Sequence, residues 1–203
     1  MEEVLDQVRR MKPGDHCMLL YKDRKYKQSV LFTFLKAGLE RGEAVIYIAG
    51  RESPQKLKKA MKDFGLDVEK YTRTNALNIV DYRNWYIIDG EFDTERTMAL
   101  WMNSSNAAIA KGFKGLRAVG EMACFLKHEM IEELIEYEKS SHNFPENPFT
   151  AICVYHANII DKAVEEESYY NLYFDLIESH NKILIASSEK KDIWVKSLGL
   201  KSV

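Results

Sequence analysis

The chain has 203 residues, 46% of them hydrophobic and 30% charged, a globular balance that excludes disordered, collagenous and membrane-embedded classes. Its 29 basic and 31 acidic residues leave a formal charge of −2, so no overall field steers it toward a phosphate backbone and no direct nucleic-acid partner is expected. The length is enough for one core without disulfide staples.

Short apolar runs alternate with longer stretches of helical period. The first run, Cys17–Tyr21, predicts a strand. Val30, Leu31, Phe34, Leu35 and Leu39 then form a stripe at helical spacing that ends at Gly42. A second strand is expected over Ala44–Ala49. Ser53 and Pro54 open the next helix, whose stripe is Leu57, Ala60, Met61 and Phe64 and whose stop is Gly65. Leu77–Asp81 predicts a third strand. Asp93 caps a helix running to about Lys111, and Leu116–Gly120 predicts a fourth strand. Met130, Ile131, Leu134 and Ile135 mark another helix, and Thr150–Tyr155 a fifth strand. Tyr169, Leu172, Tyr173, Leu176 and Ile177 mark the last helix, before a sixth strand over Lys182–Ala186.

Strands apolar on both faces, separated by crossover helices, specify an α/β three-layer sandwich with a mostly parallel central sheet. With only 4 prolines, no low-complexity tract and no long repeat, one domain over 1–203 is expected. Cys17, Cys124 and Cys153 are odd in number, far apart and set in apolar surroundings, as free thiols in a reducing cytoplasm would be. Runs such as Ala44–Ala49 fall far short of the roughly 20 residues that span a bilayer, and neither a leader nor an anchor is read in residues 1–12. The expected location is cytoplasmic, without a membrane partner.

In such sheets ligands bind beyond the carboxyl ends of the strands. That rule selects Tyr21, Arg51, Glu121, Tyr155 and His156, which the fold should gather around one hollow. Asp89-Gly90 between apolar arms predicts a tight hairpin overhanging the same edge, with Trp85, Tyr86 and Phe92 as a cover and Tyr86 as a further ligand contact. His16 and Cys17 are adjacent, so on a strand they point to opposite faces, and they enter the first strand rather than leave it. They are read as structural residues at the amino edge, with ligation as the alternative. His128-Glu129-Met130-Ile131-Glu132 has a glutamate where a zinc-protease helix needs its second histidine, so that chemistry is set aside.

Phosphate-binding sheets need a glycine-rich loop after the first strand, because only glycine lets backbone N–H groups wrap the phosphates. Here Tyr21-Lys22-Asp23-Arg24-Lys25-Tyr26-Lys27-Gln28-Ser29 contains none. Gly-x-Gly-x-x-Gly and Gly-x-Ser-x-Gly are also missing. No catalytic residue, metal site or cofactor is therefore assigned.

Several segments, taken in order, resemble a known family. They are Gly14-Asp15-His16 leading into Cys17 and Tyr21; Gly38-Leu39-Glu40-Arg41-Gly42-Glu43 before Tyr47-Ile48-Ala49; Tyr86 with Asp89-Gly90-Glu91-Phe92-Asp93; Gly115-Leu116-Arg117 followed by Gly120-Glu121-Met122; Cys153-Val154-Tyr155; and Ser179-His180. Together they resemble the MEDS domain, the methanogen/methylotroph DcmR-sensory domain, nearly end to end. The resemblance implies a RecA/KaiC-like fold without a P-loop and a role in sensing small organic molecules for signalling or transcriptional regulation. Members are often joined to an output module, whereas the sensory domain takes up this chain. Output is then expected through a separate signalling or regulatory protein or through self-association. The excess of seven Lys/Arg over four Asp/Glu in residues 51–73 is read first as a solvated helix face. Two other readings stay open: a residual nucleotide-binding ATPase using Lys22, Arg24 and Glu121, and a scaffold that binds only protein.

Overall fold

The apolar runs become strands and the capped stripes become helices. The computed structural model describes residues 2–140, 148–158, 160–161, 171–186 and 193–196. In chain order these form α1 (Glu2–Arg9), β1 (His16–Tyr21), α2 (Arg24–Arg41), β2 (Ala44–Ala49), α3 (Pro54–Asp63), α4 (Val68–Arg73), β3 (Leu77–Asp81), β4 (Ile87–Ile88), β5 (Glu91–Phe92), α5 (Thr94–Ala110), β6 (Leu116–Glu121), α6 (Ala123–Lys127), α7 (Ile131–Ser140), β7 (Phe149–His156), α8 (Leu172–Glu178), β8 (Lys182–Ala186) and β9 (Ile193–Lys196). All six expected strands are present.

Local chemistry sets the boundaries. The Asp23 carboxylate accepts N–H bonds from Lys25 and Tyr26 and starts α2, which Gly42 ends with a φ of 82°. Ser53 caps α3 and Asp93 caps α5 by the same device. Asp89 and Gly90 both have positive φ, 55° and 87°, as a two-residue hairpin turn requires, and β4 pairs antiparallel with β5 across it.

The main sheet has the order β3-β2-β6-β7-β1-β8-β9. Its first six strands are parallel, and β9 pairs antiparallel with β8. Alternation along the strands builds two cores. Cys17, Leu19, Val45, Tyr47, Val119, Ile152 and Val154 face α1 to α4. Met18, Ile46, Ile48, Ala118, Ala151 and Cys153 face α5 to α8. The result is the expected three-layer α/β sandwich with a mostly parallel central sheet, and no glycine stands between β1 and α2.

Some elements go beyond the sequence reading. α1 and α4 are too short for a periodic stripe to declare them. The helix expected around Met130–Ile135 is α7, and a further short helix, α6, precedes it, the two separated where Glu129 takes a φ of 58°. His128 therefore lies in the turn that ends α6 and Glu132 on α7, and the protease-like spacing has no continuous helix to carry it. Tyr169, assigned to the last helix, lies outside the described residues; α8 begins at Leu172.

Candidate functional site

Because β1, β2, β6 and β7 are parallel and in register, their carboxyl ends meet at one edge, with Tyr21 beside His156 and Glu121 beside Val154. Glu121 anchors this edge. One carboxylate oxygen, Oε1, accepts from Lys27 Nζ at 2.6 Å and from Tyr47 Oη at 2.7 Å; the other, Oε2, accepts from the backbone N–H groups of Gly50 at 2.9 Å and Arg51 at 2.8 Å. Those four donors fill the acceptor capacity of a carboxylate. Burial is the largest single influence and opposes the charge, yet Lys27 and the hydrogen bonds outweigh it and hold the Glu121 carboxyl below its ordinary range.

Lys27 reaches Glu121 from the first turn of α2, at 3.2 Å from Glu52 as well and with Nζ 5.3 Å from the centre of the Tyr21 ring. Despite burial, these negative neighbours raise its pKa. Gly50 is needed for space. A Cβ there would stand 2.7 Å from the Glu121 carbonyl oxygen, a backbone atom that cannot swing aside.

The alternation of strand side chains divides the residues that were expected to share one hollow. Tyr21, Glu121 and Lys27 lie on the α1–α4 side, and the Tyr21 and His156 rings meet edge to face at 4.9 Å between centres. Arg51 is exposed and His156 half-buried. Burial, then the nearby Arg51 and Lys27 charges, lower the His156 pKa below 6.5. Tyr155 points through the opposite face, where its hydroxyl donates to Glu138 Oε1. The common hollow of Tyr21, Glu121 and Tyr155 is thus corrected to two environments on opposite faces of the sheet.

Tyr86 is also placed differently. It is fully buried, packed on Phe125 and Tyr137 at 5.5 and 5.8 Å between ring centres. Trp85 packs on Trp101 at 4.5 Å, and Phe92 on Phe125 at 4.8 Å. These rings close the end of a core instead of covering a solvent-filled space. A cleft of about 550 Å³ does lie alongside the hairpin turn, lined by Arg83, Asn84, Ile87, Asp89, Gly90 and His128.

Under the α5–α8 layer a second polar group is enclosed. His16 and Cys17 face opposite sides as expected. Cys17 enters the α1–α4 core, where burial pushes its thiol up. The His16 ring meets Cys153, Glu138 and His180: its Nε2 is 3.2 Å from Cys153 Sγ and 3.7 Å from Glu138 Oε2, and His180 Nε2 is 3.5 Å from that same oxygen. Each ring turns its other nitrogen to a backbone carbonyl, His16 Nδ1 to Ser179 at 3.1 Å and His180 Nδ1 to Leu176 at 2.6 Å. All four side chains are buried.

Sequence reasoning passed over Lys27 and Glu138, although both carry a signal. Lys27 precedes Val30 and Leu31 by three and four positions, and Glu138 follows Ile131 and Leu134 by seven and four. Each charge therefore stands within an apolar helical stripe.

The strand order is that of a KaiC-like α/β fold, and its rim carries no glycine loop after β1. Residues 15–169 match the MEDS family, the methanogen/methylotroph, DcmR sensory domain, and the chain belongs to that family. Among solved structures it is similar to a KaiC-like protein from Pyrococcus horikoshii, with 16% identity over 91% of this chain and 79% of that one and a TM-score of 0.58. It is also similar to an uncharacterised protein of the same organism crystallised with an unknown peptide, with 15% identity over 91% and 82% and a TM-score of 0.64. At such identities the likeness shows the fold alone. No curated protein matches the sequence. Among the described residues, no helix is long and apolar enough to cross a membrane.

Proposed function

We propose that the chain is a non-catalytic sensory domain that binds a small organic molecule at the carboxyl edge of its sheet and acts in signalling or transcriptional regulation. The observation that carries this reading is the bond between Lys27 and Glu121. In a phosphate-binding sheet the lysine that opens the first crossover helix is kept for the nucleotide. Here the buried lysine in the first turn of α2, Lys27, is neutralised by the carboxylate at the end of β6, and the carboxylate has no lone pair left for magnesium or water. This disfavours the ATPase alternative.

Above the neutralised pair, Tyr21, Arg51 and His156 offer an aromatic edge, a guanidinium and a largely neutral imidazole. That set suits a small polar organic molecule bearing hydrogen-bond acceptors. A second reading seats the ligand in the cleft beside the hairpin, favoured by its volume of about 550 Å³. In both, the signal leaves through a separate regulatory protein or a second copy of the chain, and the ligand favours one arrangement by binding it more tightly.

Calorimetry against a panel of methylated and halogenated small molecules and short carboxylates tests the proposal. The binder found should lose affinity at least tenfold in Arg51→Ala and His156→Ala for the rim, or in Asp89→Ala and His128→Ala for the cleft. A binder indifferent to all four substitutions, or magnesium-dependent binding of ATP, removes the reading.

A further inference from the structure

The buried histidines, glutamate and cysteine come from four separate places: His16 begins β1, Glu138 lies on α7, Cys153 on β7, and His180 in the turn between α8 and β8. One donor atom from each lies within 4.8 Å of all the others. Hydrogen bonding fixes how the rings present themselves. A carbonyl oxygen can only accept, so both Nδ1 atoms carry hydrogen and donate, to Ser179 and Leu176. Each ring therefore turns its Nε2 inward, toward Glu138. The Tyr155 hydroxyl occupies Glu138 Oε1 and leaves Oε2 facing the two Nε2 atoms. Two ring nitrogens, a carboxylate oxygen and a thiol thus converge, the donor types that transition-metal sites use.

We propose that His16 Nε2, His180 Nε2, Glu138 Oε2 and Cys153 Sγ bind one divalent transition-metal ion, with zinc the best fit to the donor set. Tetrahedral zinc with ordinary bonds to nitrogen, oxygen and sulfur sets its ligand atoms about 3.3–3.6 Å apart. Three of the separations are 3.2 Å between His16 and Cys153, 3.7 Å between His16 and Glu138, and 3.5 Å between His180 and Glu138, and the others lie within 4.8 Å, so the shell closes with side-chain shifts of about an ångström at most. The donors exclude the hard cations: calcium and magnesium take oxygen ligands, whereas imidazole and thiolate select zinc and its neighbours.

The outer contacts match as well. Metal-binding histidines characteristically donate their other N–H to a carbonyl or carboxylate, and ligating carboxylates are themselves hydrogen-bonded. Both conditions are met, by Ser179, Leu176 and Tyr155. Four protein ligands leave no position for a substrate, so the ion ties β1, α7, β7 and the turn between α8 and β8 together. On binding, the Cys153 S–H gives way to an S–metal bond, and its proton passes to solvent. The inference does not depend on the ligand reading of the rim, which lies beyond the other face and carries none of these donors.

The test uses the full chain, stripped with a chelator and then titrated with zinc or cobalt(II). One equivalent of zinc per chain is expected by elemental analysis, with about one proton released per metal in weak buffer. Tm should rise roughly 5–10 °C at free zinc a hundredfold above its Kd. Cobalt should give a thiolate charge-transfer band that disappears in Cys153→Ser and persists in Cys17→Ser and Cys124→Ser. Tyr155→Phe, which keeps the ring and removes only the hydroxyl bond to the outer oxygen of Glu138, should weaken metal affinity about 10–100-fold. If Cys153→Ser does not fold, the band in the wild-type chain and its persistence in the other two cysteine variants decide the question. A folded wild-type chain that takes up less than a tenth of an equivalent of either metal, or a cobalt spectrum without thiolate charge transfer, overturns the proposal and leaves a hydrogen-bonded network.

Discussion

Lys27 Nζ lies 2.6 Å from Glu121 Oε1, with each side chain only 2% exposed. The two residues are 94 positions apart, and the parallel sheet brings them together by carrying α2 from the end of β1 over β7 and β6 to β2. Their bond sets the chemistry of the whole carboxyl edge, because it decides that no charge at its base is free.

Breaking one side of such a pair leaves the other charge buried and costs about 3–5 kcal/mol, whereas removing both costs much less than the sum. Glu121→Gln and Lys27→Met should each lower the unfolding free energy, read from urea titration, by an amount in that range. The double variant should recover a substantial part of the loss. Strictly additive losses would mean that the two groups do not depend on each other.

The same pair fixes how stability varies with pH. The Glu121 carboxyl is held below 4.5 in the folded chain, so its contribution is present above 4.5 and is lost as pH falls through the lower folded value. Lys27 is raised above 10.5, so its contribution is present below 10.5 and is lost as pH rises through the higher folded value. Urea midpoints measured across the acid range should fall less steeply in Glu121→Gln than in the wild type. An identical acid limb in both would assign the loss to other carboxylates.

Gly120 gives the buried Tyr86 ring its place. A Cβ at position 120 would stand 2.3 Å from the Tyr86 hydroxyl oxygen and 2.7 Å from Met122 Cε, and Tyr86 is penned in by Phe125 and Tyr137. Gly120→Ala should cost about 1–3 kcal/mol as an overpacked core does. Adding Tyr86→Phe removes the worst contact and should return about 1 kcal/mol of that, read as coupling in a cycle of urea midpoints. Without coupling, the tyrosine would have to leave its pocket freely.

How much of this was legible follows from what each pattern encodes. Periodicity and caps recovered the parallel strands and most crossover helices, because burial and capping are written locally, in Gly42, Ser53 and Asp93. The site was legible only as a list of strand ends. Whether Tyr155 and Glu121 face one hollow depends on the register of β6 against β7 and on which face each strand turns to which layer, and no single segment states that. Arg117 shows the same limit. It sits in an apolar strand at 0% exposure, with its guanidinium bonded to Glu43 and to the carbonyls of Met11 and Phe34. Gly38 leaves the room: a Cβ there would meet Arg117 Cδ at 2.5 Å. The sequence shows Gly38, Glu43 and Arg117 as separate fragments, and only the fold reveals them as one lock. The buried charges Lys27 and Glu138 were legible in principle, as ionic residues standing in apolar stripes.

Arg51 and His156 offer a measurable handle on the rim itself. The His156 imidazole is held below 6.5, first by burial and then by the Arg51 and Lys27 charges. In the window just below 6.5 the unfolded chain therefore binds more protons than the folded one, and stability falls as pH drops through it. Arg51→Ala removes one of the two cations, so the His156 titration followed by NMR should move upward toward 6.5 and the stability slope should flatten. Added salt should shift the wild-type value in the same direction, since an exposed charge is screened. An anionic ligand bound between Arg51 and His156 would raise the imidazole pKa further and bind more tightly as pH falls, whereas a neutral one would leave it nearly unchanged. A His156 titration that ignores both Arg51→Ala and salt would show that the guanidinium points away from the rim, and Arg51 would lose its place among the ligand contacts.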